Sequence, residues 1–196
     1  MEFGRKNSGQ LRYLDEGEPA RFMAAAGRKP KYDLLFSLML SFGLRCSEAV
    51  GIALADITED NTIYIHARKR GFNRQYDLSD ELVKKIQLWL RVRKAQNSQW
   101  LFPHYRYHDR HATNFFVLAA YGQVARAAGI KGRSPHSLRH STGVSMAKAG
   151  FTGPQISRHL RHRSLQSSWH YCQVVEDKVQ DQKALGLFDK FLSKEK

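Results

Sequence analysis

Apolar residues run from Leu34 to Phe42, interrupted only by Ser37 and Ser41, and the run stops at Gly43. This pattern predicts a helix from about Lys31 to Phe42 that buries its long apolar stretch, with Gly43 taking the left-handed cap conformation. Arg45 then leaves the core at a fixed helix end. Another helix is expected to start near Ser47, which brings the Glu48 carboxylate close to Arg45, where it can hold the guanidinium in place. An exposed Arg–Glu pair by itself would contribute only about 0–1 kcal/mol.

Further along, Thr62 to Arg68 alternates Ile63, Ile65 and Ala67 against Thr62, Tyr64 and His66, the period of a half-buried strand. The chain resumes as Arg74 to Leu78, so the two runs read as an antiparallel hairpin with Gly71 in its turn and Lys69 near its tip. Leu78 and Val83 flank Ser79 as a hydrophobic staple and cap. Leu82, Ile86, Trp89 and Leu90 continue at helical spacing and are assigned to the core rather than to base stacking. Ser134 and Pro135 open another helix as cap and first residue. That start places His136 in the first turn, where free amide donors and the helix dipole favour an anion. Arg139, three residues on, faces the same side. His140 follows Arg139 directly, is expected to point elsewhere, and is assigned to structure. Beyond Glu176, Ala184, Leu187, Phe188, Phe191 and Leu192 fall at i, i+3, i+4, i+7 and i+8, an amphipathic helix. The fold class read from these patterns is mainly α with a small antiparallel β-sheet (α+β). At 196 residues one domain is expected: a flexible arm at 1–10, a body at 11–175 and the amphipathic helix within 176–196.

Charge narrows the partner. With 32 Lys plus Arg against 18 Asp plus Glu, the formal charge is +14 and the pI about 10, an excess that attracts a polyanion and releases its counterions. DNA, RNA and an acidic membrane all satisfy that requirement. The membrane is disfavoured, because Leu34 to Phe42 is far shorter than the roughly 20 apolar residues a span needs. Met1 to Gln10 holds no apolar stretch of a signal peptide, and Cys46 and Cys172 form neither a metal spacing nor a disulfide framework, as in a cytosolic protein. The segment Phe102 to His111 is dense in His and Asp, but no closely spaced Cys accompanies it. It reads as a basic, aromatic, DNA-facing loop rather than a metal site.

Three motifs recur in a fixed order: Gly43-Leu44-Arg45-Cys46-Ser47-Glu48, then Pro135-His136-Ser137-Leu138-Arg139-His140, then Leu160-Arg161-His162 with Tyr171 nine positions after His162. In order and spacing this set resembles the tyrosine recombinase (phage integrase) family, over Leu11 to about Val175. The resemblance implies a site-specific DNA recombinase that cuts and rejoins strands through a 3′-phosphotyrosine. It implies Tyr171 as nucleophile, Arg45 and Arg139 gripping the nonbridging phosphate oxygens, and Lys69 as general acid for the departing 5′-oxygen. His136 would be an acid/base near the tyrosine, and His162 a donor to phosphate. No metal and no nucleotide cofactor is expected. The expected partners are double-stranded DNA carrying recombination sites and further copies of the chain, a tetramer on DNA, in the cytoplasm and associated with the nucleoid. In resembling recombinases the tail docks into a neighbouring protomer; folding back on its own domain is the alternative. Most relatives carry a DNA-clamping domain ahead of the catalytic one, so the chain is expected to be either a fragment or a minimal form like the fimbrial-switch recombinases.

Two positions depart from the family pattern. Arg68-Lys69-Arg70 stands where relatives usually have Gly-Lys-Gly, which makes Arg70 a competitor for the role of Lys69. Arg161 stands where the family has glycine, and is expected to shift the turn or add a phosphate contact. A type IB topoisomerase-like enzyme, which cleaves and religates strands to relax supercoils without pairing sites, and a noncatalytic DNA-binding regulator on the same fold are the alternative functions.

Overall fold

The computed structural model describes residues 13–67, 72–166 and 168–176. Within them helices α1 (Glu18–Ala26), α2 (Pro30–Phe42) and α3 (Cys46–Val50) lead into a short 3-10 turn at Leu54–Asp56 and strands β1 (Thr62–Ile65) and β2 (Arg74–Asp77). Helices α4 (Asp80–Val92), α5 (Asn114–Ala127), α6 (Pro135–Lys148) and α7 (Gly153–Leu160) follow, and residues 168–176 form a last helical segment. The architecture is mainly helical with one two-stranded antiparallel sheet, the fold class expected.

Helix α2 is central because it is apolar on most of its circumference. Leu34, Leu35, Phe36, Leu38, Met39 and Phe42 are all buried, and α1, α3, α4 and α6 pack around it. A helix apolar on all sides can satisfy itself only inside a core. Phe22 of α1 and Tyr121 of α5 close on Phe36, with ring centroids 5.0 and 6.3 Å away. Helix α4 is capped by Ser79, whose hydroxyl accepts from Leu82 N at 3.4 Å, and buries Leu82, Ile86 and Trp89, as the helical spacing predicts.

The hairpin pairs Ile63 with Tyr76 and Ile65 with Arg74, and Ile63, Ile65 and Tyr76 alternate into the core. Its strands end earlier than the alternation suggests. Beyond Ile65 the closure passes to a side chain, with Ala67 N donating to Asn73 Oδ1 at 2.9 Å. Lys69, Arg70 and Gly71 lie outside the described residues, as do the arm at 1–10 and the helix expected over Ala184 to Leu192.

Pro135 takes the first position of α6, but Ser134 caps it without its side chain. Instead Ser137 Oγ donates to the Ser134 carbonyl, so the expected hydroxyl cap is corrected. A second, smaller core of Val144, Ile156, Leu160 and Tyr171 joins α6, α7 and the last helical segment. In the loop after Phe102, His104 Nδ1 accepts from the amides of Arg106 and Tyr107 at 3.2 and 3.1 Å, while Tyr105 is 83% exposed. Among the described residues no helix is long and apolar enough to cross a membrane.

Candidate active site

Gly43 ends α2 with φ 57 and ψ 42, and a Cβ there would sit 2.2 Å from Leu160 Cδ2. Both the left-handed backbone and the close approach of α7 therefore call for glycine. Two residues later Arg45 becomes the N-cap of α3. Its amide donates to Glu48 Oε2 at 3.0 Å and its Nη1 to Oε1 at 2.7 Å, so one carboxylate fixes both backbone and guanidinium. The Arg45 side chain keeps 29% of its surface in solvent.

Glu48 is only 2% exposed and serves more than Arg45. Arg161 Nη2 donates to Oε2 at 2.9 Å, and Arg139 Nη1 stands 3.9 Å from the same oxygen. Burial alone would push the Glu48 carboxyl up, but the charges of Arg161 and Arg45 and the amide of Arg45 outweigh it and hold the group below its ordinary value. A single buried anion thus organises three cations.

Arg139 is 1% exposed. It donates to the Gly43 carbonyl at 2.5 Å and to the Leu160 carbonyl, tying the end of α2 to the end of α7. Burial, together with the nearby charge of Arg45, lowers its pKa to about 10, so it stays cationic at neutral pH.

Arg161 corrects an expectation. It caps α7 in the left-handed region, φ 58 and ψ 43, where a non-glycine residue costs roughly 1–2 kcal/mol. The turn therefore keeps the conformation glycine would give it. The side chain is fully buried and reaches inward to Glu48, to the Phe42 carbonyl at 3.0 Å and to the Tyr76 hydroxyl. It makes an internal counterion pair rather than a phosphate contact, because the space behind the turn is lined with oxygen acceptors.

On α6, His136 lines a cleft of about 330 Å³ together with Leu44, Arg45, Cys46 and Asn114. One turn on, His140 meets it edge to face, ring centroids 4.4 Å apart. The Tyr171 hydroxyl lies 3.0 Å from His140 Nδ1. His140 points away from Arg139, as expected from their adjacency, and this direction sets it against the proposed nucleophile. Residues i and i+4 share a helix face, so His140 follows His136, while Arg139 turns into the core. Gly143 extends the same face and makes room for the phenol: a Cβ there would meet the Tyr171 ring at 2.7–2.8 Å. The pattern His136, His140, Gly143 at i, i+4 and i+7 was the available signal.

His162 completes the surround. Its ring lies parallel to that of Tyr171, 6.2 Å between centroids and 15° between planes, and its Nδ1 is 2.8 Å from Ser168 Oγ. Burial, then the charge of Arg139, brings its pKa down to about 3. Burial, then His136 and Arg139, brings His140 to about 4. Both imidazoles are therefore neutral at pH 7. Tyr171 is 2% exposed, and burial raises its pKa despite the opposing charges of Arg139 and Arg45, so the phenol rests protonated. The charges of Arg45 and Arg139 act on His136, His162 and Tyr171 in one neighbourhood, but Arg139 turns inward to the Gly43 and Leu160 carbonyls rather than sharing the side of His136 as expected; Lys69 falls outside the described residues.

Residues 12–178 match the model of the phage integrase family. The type 1 fimbriae regulatory protein FimB of Escherichia coli K12 is 28% identical over 170 residues, covering 81% of this chain and 82% of FimB. The tyrosine recombinase XerA of Pyrococcus furiosus is 31% identical over 147 residues, 72% of this chain but only 50% of XerA. Among solved structures, the XerA recombinase superposes with a TM-score of 0.75 at 21% identity, covering 89% of this chain and 64% of that one. XerH bound to a palindromic difH substrate gives 0.76 at 19% identity, covering 92% and 55%; at these identities the likeness shows the fold. With a family match over most of its length, the chain belongs to the phage integrase family and is a tyrosine recombinase.

Proposed function

We propose that this chain cleaves and rejoins double-stranded DNA at specific sites through a 3′-phosphotyrosine formed on Tyr171. The observation that carries the reading is the placement of a phenol hydroxyl against α6, within the field of Arg139 and Arg45, beside a cleft lined by Arg45 and His136. Phosphodiester cleavage needs a nucleophile, donors for the charge that develops on the nonbridging oxygens, and a proton for the departing oxygen. Tyr171 supplies the first. Arg45, partly exposed and clamped by Glu48, supplies a planar fork suited to phosphate oxygens, with the Arg139 cation buried beside it. His136, in the first turn of α6, donates alongside the helix amides, and His162 borders the phenol. Lys69, between the two strands in sequence, protonates the 5′-oxygen. The residues supply charge stabilisation and proton transfer without a metal, and the phosphotyrosine bond retains the energy needed for religation.

The net charge of +14 supports a DNA partner, as does the likeness to XerH, which was solved bound to its difH substrate. Assembly of several protomers, a tetramer on paired sites, belongs to the same proposal, as does a cytoplasmic, nucleoid-associated location. The test is covalent trapping on a nicked suicide substrate. Wild-type protein is expected to form an adduct that persists in EDTA, and Tyr171→Phe to bind equally well and form none. An adduct at wild-type level from Tyr171→Phe would overturn the assignment, and an adduct abolished by EDTA would point to metal-dependent chemistry.

A further inference from the structure

We propose that His140 is the proton acceptor of the cleavage step: its Nδ1 takes the phenolic proton of Tyr171 as the oxygen attacks phosphorus. The proposal rests on the reading of Tyr171 as nucleophile and adds a catalytic residue to it.

Geometry separates the three imidazoles around the phenol. His140 Nδ1 is 3.0 Å from the hydroxyl, within the distance at which a general base removes a proton. His136 meets the His140 ring edge to face and faces the cleft with Arg45. His162 lies with its ring parallel to the phenol, 6.2 Å between centroids, and its Nδ1 is held by Ser168 Oγ at 2.8 Å. Gly143 seats the phenol ring beneath His140, so the hydroxyl is aimed at Nδ1 by packing as well as by the hydrogen bond.

The charged and titratable groups facing His140 are His136 and Arg139 on its own helix, His162 after α7, and Tyr171 on the last helical segment. None of them is an anion in the resting state, so the imidazole is neutral and free to accept. An arriving phosphodiester brings negative charge into this cationic neighbourhood and favours the imidazolium at the moment it forms. In the step, the Oη–H bond breaks toward Nδ1, the Oη–P bond forms and the P–O5′ bond breaks. The 5′-oxygen takes a proton from the lysine general acid, so one proton enters at His140 and one leaves the lysine. Religation reverses both transfers, with protonated His140 returning its proton to the departing phenolate. Because Tyr171 is 2% exposed, DNA binding must open the cover over its hydroxyl while keeping the His140 contact.

The test uses single-turnover adduct formation on a nicked DNA with a 5′-thio leaving group, which needs little protonation and isolates deprotonation of the nucleophile. His140→Asn places a neutral amide near the position of Nδ1, and His140→Ala leaves space for added imidazole. Wild-type rates are expected to be level across neutral pH. At pH 7 His140→Asn is expected to fall by about 10²-fold or more, with a rate that climbs with pH toward the phenol's own range, and imidazole is expected to restore His140→Ala. DNA affinity, read by fluorescence anisotropy, should change less than about threefold in both. A His140→Asn rate within about threefold of wild type with an unchanged pH profile, or no rescue of His140→Ala by imidazole, would overturn the proposal alone. Failure of wild-type protein to form an adduct at Tyr171 would overturn it together with the nucleophile assignment.

Discussion

Replacing Glu48 by Gln tests the device on which the site is built. The substitution keeps the shape and one acceptor oxygen but removes the negative charge that Arg45 and Arg161 contact at 2.7 and 2.9 Å and that Arg139 approaches at 3.9 Å. Arg161 and Arg139 are 0% and 1% exposed, so water cannot replace the lost counterion. Removing one partner of a buried ion pair costs about 3–5 kcal/mol. In a domain of this size that corresponds to a fall in Tm of roughly 6–20 °C. The sign with pH follows from the depressed Glu48 carboxyl: its stabilisation is fully present above the unfolded value of 4.5 and is lost as pH falls through the lower folded value. Melting curves of wild type and Glu48→Gln should therefore run parallel from pH 6 to 8 and converge below about pH 4.5. Adding Arg161→Gly to Glu48→Gln removes one stranded cation and relaxes the left-handed backbone. The double variant is expected to recover about 1 kcal/mol or more over Glu48→Gln. A Tm difference under about 2 °C at pH 7, or one that does not shrink on acidification, would refute the reasoning.

Gly143→Ala puts a methyl where the Tyr171 ring now sits; displacement of the nucleophile is expected to slow adduct formation by roughly tenfold or more with DNA affinity preserved in a gel-shift assay, and an unchanged rate would show that this packed pose is not the one that reacts. Lys69→Ala should be rescued by a 5′-thio leaving group, whereas rescue of Arg70→Ala in its place would transfer the general acid role to Arg70. Truncation after Gln180 should leave monomer binding and melting intact while abolishing higher assembly on DNA by native mass spectrometry. An unchanged oligomer together with a destabilised monomer would mean that the tail packs on its own domain.

The parts of the site legible in the sequence are those fixed by local rules. Gly43 ending an apolar helix, Arg45 at the next N-terminus and Glu48 three residues on follow from capping and helical spacing. So does the placement of His136 and Arg139 in the first turns of α6. Adjacency to Arg139 tells only that His140 points elsewhere; its i, i+4 relation to His136 is what brings it to the Tyr171 hydroxyl. Arg161 was not legible in the same way. Its role depends on Glu48 and on the Phe42 carbonyl, 113 and 119 residues away. Local pattern shows only that an arginine stands where a left-handed turn favours glycine. The hydroxyl cap of α6 is absent for a local reason: the Ser137 amide, which the Ser134 hydroxyl would have accepted from, donates to the Ser134 carbonyl at 2.9 Å instead.

The central claim is that Tyr171 becomes covalently linked to the 3′ side of a DNA break. The most direct measurement is mass spectrometric mapping of the protein–DNA adduct recovered after incubation with a pool of nicked duplexes, with the attached DNA sequenced in parallel. The account predicts a nucleotide remnant on the peptide containing Tyr171, a free 5′-hydroxyl on the released strand, and enrichment of particular sequences. A remnant on another residue, or specific DNA binding with no covalent product at all, would contradict it.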